Sequence, residues 1–293
     1  MGAQVAALLA GPPPYGDVPP PGPVTGSLRL DRPAGFTLDA TARSGGGVAL
    51  PPSSYDGERL ARRVPGGVVR VDSALTVTWE GDVADPGDLV RRVLGLDDDV
   101  TELHDGCRRV PSLAWVPEAG AGRVLRAPTV WEDLVGLLLA TRTSFRSARA
   151  AVARLVGDGP FPTPDDVARR PELPGGYRAA HLRALARAVA DGEVDPELWR
   201  ELPDDEVQAR VRALPGLGPF SAASLLPLLG RPRPLVLDGW LAAQAVPGWE
   251  KRLAPLGRWS GTGLWLEVSG AWLCPRGAGA AGGADGRAGS SSR

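Results

Sequence analysis

The spacing of apolar residues changes partway along this chain, and that change constrains the fold more than any other feature. In the first hundred residues the clearest pattern has a period of two. Leu75, Val77 and Trp79 alternate with Thr76 and Thr78, which predicts a half-buried strand. Val68 to Val71 precedes it across a turn at Asp72-Ser73, and Ser27 to Leu30, Gly35 to Leu38 and Gly47 to Leu50 read as further short extended pieces. A helix is expected from Asp85-Pro86, carrying Leu89, Val90, Val93 and Leu94. From Pro128 onward the period is helical. Val130, Leu134, Leu137 and Leu138 follow i, i+4, i+7, i+8, with Val135 and Leu139 on the other side, so that helix should be buried all round. Ala148, Val152, Leu155 and Val156 mark a second helix, Leu182, Leu185, Ala186 and Val189 a third, and Val207, Val211 and Leu214 a fourth. Strands first and helices after predict an α+β chain, a small antiparallel sheet domain followed by a mainly helical one.

Length agrees with that division, because 293 residues accommodate about two domains at ~150 residues each. We divide the chain into a disordered Pro-rich leader (1–25), an α+β N-terminal domain (26–120), a helical catalytic domain (121–274) and a disordered tail (275–293). The 39 glycines and 30 prolines concentrate in the leader and tail, and Gly11 to Pro23 is expected to be extended. No apolar run approaches the ~18–20 residues a bilayer span needs. Ala6 to Ala10 is too short, and lacks the basic start, for a signal peptide. Two cysteines, Cys107 and Cys274, exclude a disulfide framework. A soluble, reduced, cytoplasmic protein is therefore expected. The 33 cations and 34 acids leave a net charge of −1, which argues against a general affinity for polyanions. Nearly all the cations are arginine, and Lys251 is the only lysine. A lysine nucleophile would have one candidate.

The segment Asp204 to Ala242 carries the chemistry. An amphipathic helix ends at Leu214, the chain turns through Pro215-Gly216-Leu217-Gly218, and Pro219 starts a second helix. Such a turn aims unpaired amides and a positive helix end at one point, which suits a phosphodiester. Asp204 and Asp205 precede their helix and are expected to cap it.

Leu214-Pro-Gly-Leu-Gly218, then Pro219-Phe-Ser-Ala-Ala223, then Leu235-Val-Leu-Asp-Gly-Trp240 resembles the helix-hairpin-helix DNA glycosylase superfamily. Gly120 to Thr129 with Trp131-Glu-Asp-Leu134, Gly176-Tyr-Arg-Ala179, and Trp259-Ser-Gly to Leu264-Trp-Leu266 extend the likeness to the bacterial alkyladenine and oxoguanine glycosylase-like members, over roughly residues 65 to 274. The resemblance implies an endonuclease III-related fold in which Leu214, Gly216 and Gly218 bind the DNA backbone and Asp238 is catalytic. Cleaving an N-glycosidic bond builds positive charge on the deoxyribose, and a carboxylate beside the sugar stabilises that charge and orients a water. Following the apolar run Leu235-Val236-Leu237, Asp238 is expected to be only partly hydrated.

Bifunctional members of the family carry a lysine just after the hairpin, which attacks the sugar through a Schiff base. Phe220 stands there in this chain, so the resemblance implies a monofunctional, water-using enzyme, and Lys251 reads as a surface cation. A flipped base needs aromatic surfaces. Phe220 and Trp240 are the first candidates and Tyr177 and Trp272 weaker ones, with a place in the core the favoured reading for Trp265 and Trp272. Thr141-Arg142-Thr143-Ser144-Phe145 aligns with a loop where relatives often carry asparagine or glutamine near the vacated base, so Arg142 is a candidate DNA contact that departs from the family pattern.

His104 and Cys107 are too isolated from other ligand types for a four-ligand zinc site, so no metal site is assigned. An iron–sulfur cluster needs four cysteines, so no cofactor is expected, with a monovalent cation at the hairpin left open. The implied function is base-excision-repair removal of a damaged, alkylated purine, in the manner of a DNA-3-methyladenine glycosylase. Oxidised-purine excision is the alternative, and a non-catalytic hairpin protein that only binds DNA is the other class. The implied partner is double-stranded DNA with a damaged base, met by a monomer in the nucleoid-associated cytoplasm and without a membrane.

Overall fold

The computed structural model describes residues 22–45, 49–237 and 239–273, with the side chains of residues 239, 240, 271 and 272 left out. Asp238, the leader up to residue 21, residues 46–48 and the tail from Cys274 lie outside the described residues, and with them the expectations placed there.

Five strands form one antiparallel sheet: β1 (Gly26–Arg29), β2 (Ser53–Tyr55), β3 (Arg59–Val64), β4 (Gly67–Asp72) and β5 (Thr76–Gly81), in the order β1-β5-β4-β3-β2. The register aligns Leu28 with Val77, Val77 with Val71 and Val71 with Leu60. Because side chains alternate, that row and its neighbours Val69 and Val64 share one face. This face packs on Phe36, Leu38, and Val90, Val93 and Leu94 of α2 (Pro86–Leu94). The strand at Leu75 to Trp79 and the helix start at Asp85-Pro86 fall where the sequence put them.

Two expectations fail in this region. Gly35 to Leu38 is not extended: the chain turns at Gly35, and Leu38 opens α1 (Leu38–Ala42), with Thr37 capping it by accepting the Ala40 amide at 3.3 Å. Of Gly47 to Leu50, only Ala49 and Leu50 are described, and they are irregular. Strands β2 and β3 had no sequence signal, because β3 reads Arg-Leu-Ala-Arg-Arg-Val. Arg62 shares the apolar face with Leu60 and Val64 and is nevertheless buried, holding Glu132 with two hydrogen bonds and Ser53 Oγ at 2.7 Å.

The helices form two further cores. The first gathers α5 (Val130–Ala140), α6 (Phe145–Val156), α7 (Pro164–Arg169), α8 (Arg178–Ala190), α9 (Asp204–Ala213) and α10 (Pro219–Leu228) around Leu134, Leu138, Leu155, Leu182, Trp199, Val211 and Leu225. Val135 and Leu139 are buried with Leu134 and Leu138, so α5 is enclosed on both sides. The second packs α3 (Thr101–Cys107) and α4 (Trp115–Ala119) against α11 (Gly239–Gln244), α12 (Trp249–Leu253) and α13 (Ser260–Leu273), joining Leu103, Cys107 and Val116 to Leu253, Trp259 and Leu264. Glu102 on α3 ties the two sets of helices, accepting from Trp259 Nε1 at 3.0 Å and Arg258 Nε at 2.8 Å. His104 is part of this packing and donates from Nε2 to the Ala121 carbonyl at 2.8 Å, while burial pushes the Cys107 thiol up to about 12.

At the seam with the sheet, Asp133 lies buried beside Glu132. Its Oδ1 accepts the Ala127 amide at 3.0 Å, its Oδ2 has no hydrogen-bond partner, and burial raises its carboxyl to about 8. Among the described residues no helix is long and apolar enough to cross a membrane.

Candidate functional site

The turn between α9 and α10 forms as its sequence dictates. Leu214 leaves α9 in an extended conformation and Gly216 takes φ +83°. The Leu217 amide then reaches back to the Leu214 carbonyl at 3.3 Å, and the Leu217 side chain is buried, pinning the turn to the helical core. A helix beginning at Pro219 leaves its first amides without intrahelical acceptors. Those of Gly218, Phe220 and Ser221 are the ones available, since Pro219 has no N–H. They share one end of α10 with the positive pole of its dipole.

The two glycines of the turn differ. A Cβ on Gly216 would lie 2.5 Å from His181 Nδ1 and 2.8 Å from Leu138 Cδ1, so both the positive φ and the packing demand glycine. Gly218 has φ −124° and ψ −171°, which any residue adopts, and a Cβ there meets nothing within 4 Å. The fold does not require glycine at 218. A side chain there would enter open space beside the start of α10.

The residues behind Gly216 lead to the second element. Leu138 lies one turn from the end of α5, and His181 one turn from the start of α8. Between those ends sits the loop with Arg142, an exposed arginine at φ +48°. Buried Arg178 holds the loop. Its Nε donates to the Thr141 carbonyl at 2.8 Å, and its Nη2 to the Arg142 carbonyl at 3.2 Å. Its Nη1 donates to the Gly175 carbonyl at 3.2 Å. Tyr177, which the sequence suggested for a base pocket, is 61% exposed, and its ring centroid lies 4.6 Å from the Arg178 guanidinium carbon. That places it against the residue that supports the Arg142 loop.

Phe220 belongs to a third group. Arg233, 7% exposed, places its guanidinium carbon 4.9 Å from the Phe220 ring centroid and 5.2 Å from that of Trp265 on α13. Its Nη2 donates to Ser224 Oγ at 3.0 Å, and its backbone amide to Thr262 Oγ1 at 2.9 Å. Nothing in the spacing of residues 220, 233 and 265 signals this cluster, and Trp265, half-buried here, had been assigned to the core. Arg178 was likewise missed.

The structure corrects a neighbouring expectation. Asp204 and Asp205 do not cap α9: they form its first turn after Pro203, and Asp204 Oδ1 accepts from Arg231 Nη1 at 2.8 Å. Arg231 also donates to the carbonyls of Leu202, Trp199 and Arg200, tying the chain after α10 to the approach to α9. Leu235 and Leu237, in the run before Asp238, are exposed. Asp238 and the Trp240 side chain lie outside the described residues, and Lys251 is exposed on α12.

No protein-family model matches the sequence, and no curated protein matches it significantly. Solved structures do match the fold. The chain is similar to MBOgg1 in complex with a low-affinity DNA ligand, at 18% identity and a TM-score of 0.64 over 82% of this chain and 92% of that one. It is similar to the 8-oxoguanine glycosylase/lyase of Clostridium acetobutylicum, at 17% identity and a TM-score of 0.63 over 84% and 97% of the two chains. A third is the 3-methyladenine DNA glycosylase of Archaeoglobus fulgidus, at 17% identity and a TM-score of 0.59 over 84% and 98%. The fold is therefore the helix-hairpin-helix glycosylase fold that the sequence resembles.

Proposed function

We propose that this chain is a monofunctional DNA glycosylase that hydrolyses the bond between a damaged purine and its deoxyribose. The observation that carries the reading is the end of α10. Amides without intrahelical acceptors and a positive helix end lie at the start of α10, Gly218 there has open space beside it, and Phe220, incapable of an imine, stands two residues on. The amides hold a backbone phosphate, and Arg142, displayed on a loop that Arg178 clamps, enters the duplex beside the vacated base. Asp238 stabilises the positive charge that develops on the sugar as the base departs, and orients the water that replaces it. Fold similarity to glycosylases of both the 8-oxoguanine and the 3-methyladenine type supports the reaction class without dividing the two. The substrate is a damaged purine, alkylated or oxidised.

The test is excision from a panel of lesion-bearing duplexes, followed by borohydride treatment during turnover. The expected product is an intact strand with an abasic site and no trapped protein–DNA adduct. An adduct lost in Lys251→Ala would overturn the monofunctional assignment, and binding without excision of any lesion would leave a DNA-binding protein only.

A further inference from the structure

The Phe220–Arg233–Trp265 cluster bears on which damaged base this site accepts. Purines alkylated at N3 or N7 within DNA carry a delocalised positive charge, whereas oxidised, deaminated and etheno-bridged purines are neutral. Aromatic side chains select cations through the negative face of the ring, effective within ~6 Å of the centroid. In this chain the candidate ring of Phe220 and the Trp265 ring beside the same guanidinium already have a cation inside that distance, at 4.9 Å and 5.2 Å. It is a guanidinium, charged at every working pH. It is also fixed in place, being 7% exposed, bonded through Nη2 to Ser224, and carried on a backbone whose amide is bonded to Thr262 on α13.

Building on the glycosylase reading above, we infer that this site takes an uncharged damaged purine and discriminates against a cationic one, with Arg233 setting the preference. A cationic base has two ways in, and both are costly. It either shares the two rings with a like charge a few ångströms away, or it displaces a buried guanidinium from Ser224. A neutral base meets neither obstacle. It can stack on the planar guanidinium as on a ring, and an exocyclic oxygen or ring nitrogen can accept from it. Whatever else the guanidinium contacts, the ring faces it covers are already taken.

The experiment is single-turnover excision, corrected for spontaneous depurination, from otherwise identical duplexes holding 7-methylguanine as the cationic lesion, or 8-oxoguanine, hypoxanthine or 1,N6-ethenoadenine as neutral ones. The native chain should release the fastest neutral lesion at least about tenfold faster than 7-methylguanine, well below the roughly thousandfold that one like-charge contact at ~4 Å and an effective dielectric of ~20 would give. Arg233→Gln keeps a donor for Ser224 and removes the charge, and should narrow that ratio severalfold by raising the 7-methylguanine rate. Arg233→Lys, which retains the charge, should keep the native order of lesions. Faster release of 7-methylguanine than of every neutral lesion by the native chain overturns the inference while leaving the glycosylase reading intact. An unchanged ratio in a folded Arg233→Gln protein overturns the role of Arg233. Absence of excision from all four duplexes sinks the glycosylase reading and this inference with it.

Discussion

The first turn of α10 belongs to two different kinds of site. At Gly218 the working groups are backbone amides, and what matters is that the space beside the start of α10 stays open. Two residues later, Phe220 enters a cluster made wholly of side chains, drawn from α10, the segment before Asp238, and α13. A backbone site recognises what every nucleotide shares, a phosphate, and tolerates much change in the residues around it. A side-chain site recognises what distinguishes one base from another, and a single substitution can redirect it. On our proposal the chain keeps general and specific recognition apart within one helical turn.

Asp238→Asn tests the boundary most severely. It should slow base release by at least about a hundredfold, on the scale of ~2.7 kcal/mol for a lost electrostatic stabiliser. Affinity for an abasic-analogue duplex should hold or rise, because the hairpin is untouched. Single-turnover rates beside a binding curve and a melting curve measure this, and near-native activity would move the catalytic carboxylate elsewhere.

The two hairpin glycines should separate fold from function. Gly216→Ala forces a side chain into φ +83° and against His181, and should cost about 1–3 kcal/mol of stability by denaturant titration. Gly218→Val should leave the unfolding midpoint nearly unchanged and weaken DNA binding about tenfold. If Gly218→Val binds normally, the space beside the start of α10 is not where the phosphate sits. Native binding should also fall with added salt, with a slope that indicates only a few released ions.

The smallest effect on DNA binding and excision belongs to Asp133, in the seam between sheet and helices. Its carboxyl is raised to about 8 by burial, so the folded protein holds a proton that the unfolded chain releases near 4. Its contribution to stability should therefore decline as pH rises from 4 through 8. Asp133→Asn mimics the protonated form and keeps an acceptor for the Ala127 amide. It should match the native protein near pH 4, pull steadily ahead as the pH rises towards 8, and hold a constant lead above that, in melting curves taken from pH 4 to 9.

What was legible in the sequence follows the same division as the two sites. Glycine and proline punctuation marked the hairpin, and helical periodicity marked α5, α6, α8 and α9, because local backbone chemistry decides those features. Strand β3 was hidden because three of its six residues are arginine, and Arg62 is tolerated on the apolar face only through Glu132, a residue 70 positions away. Arg233 stayed hidden for a similar reason. Its partners are distant in the chain, and a guanidinium between two rings leaves no period to read. Thr37 misled in the opposite sense, as a β-branched residue that looks extended yet caps a helix.

The pairing of α3 and α4 with the last three helices bears on the order in which the chain acquires its structure. Arg109 bonds the Pro255 carbonyl and Glu102 bonds Trp259, across 146 and 157 residues. The core that holds Leu103 cannot close until Leu264 has been synthesised. The helices between residues 130 and 228 face no such delay, since their core draws on a single continuous stretch. During translation that middle block can consolidate first, leaving an early segment waiting for a late one, and loop closure over such distances is slow. The stretch around Asp238 feeds the late-closing core, so a ribosome that stops short of α13 releases a chain whose hairpin is formed and whose aromatic cluster is missing Trp265.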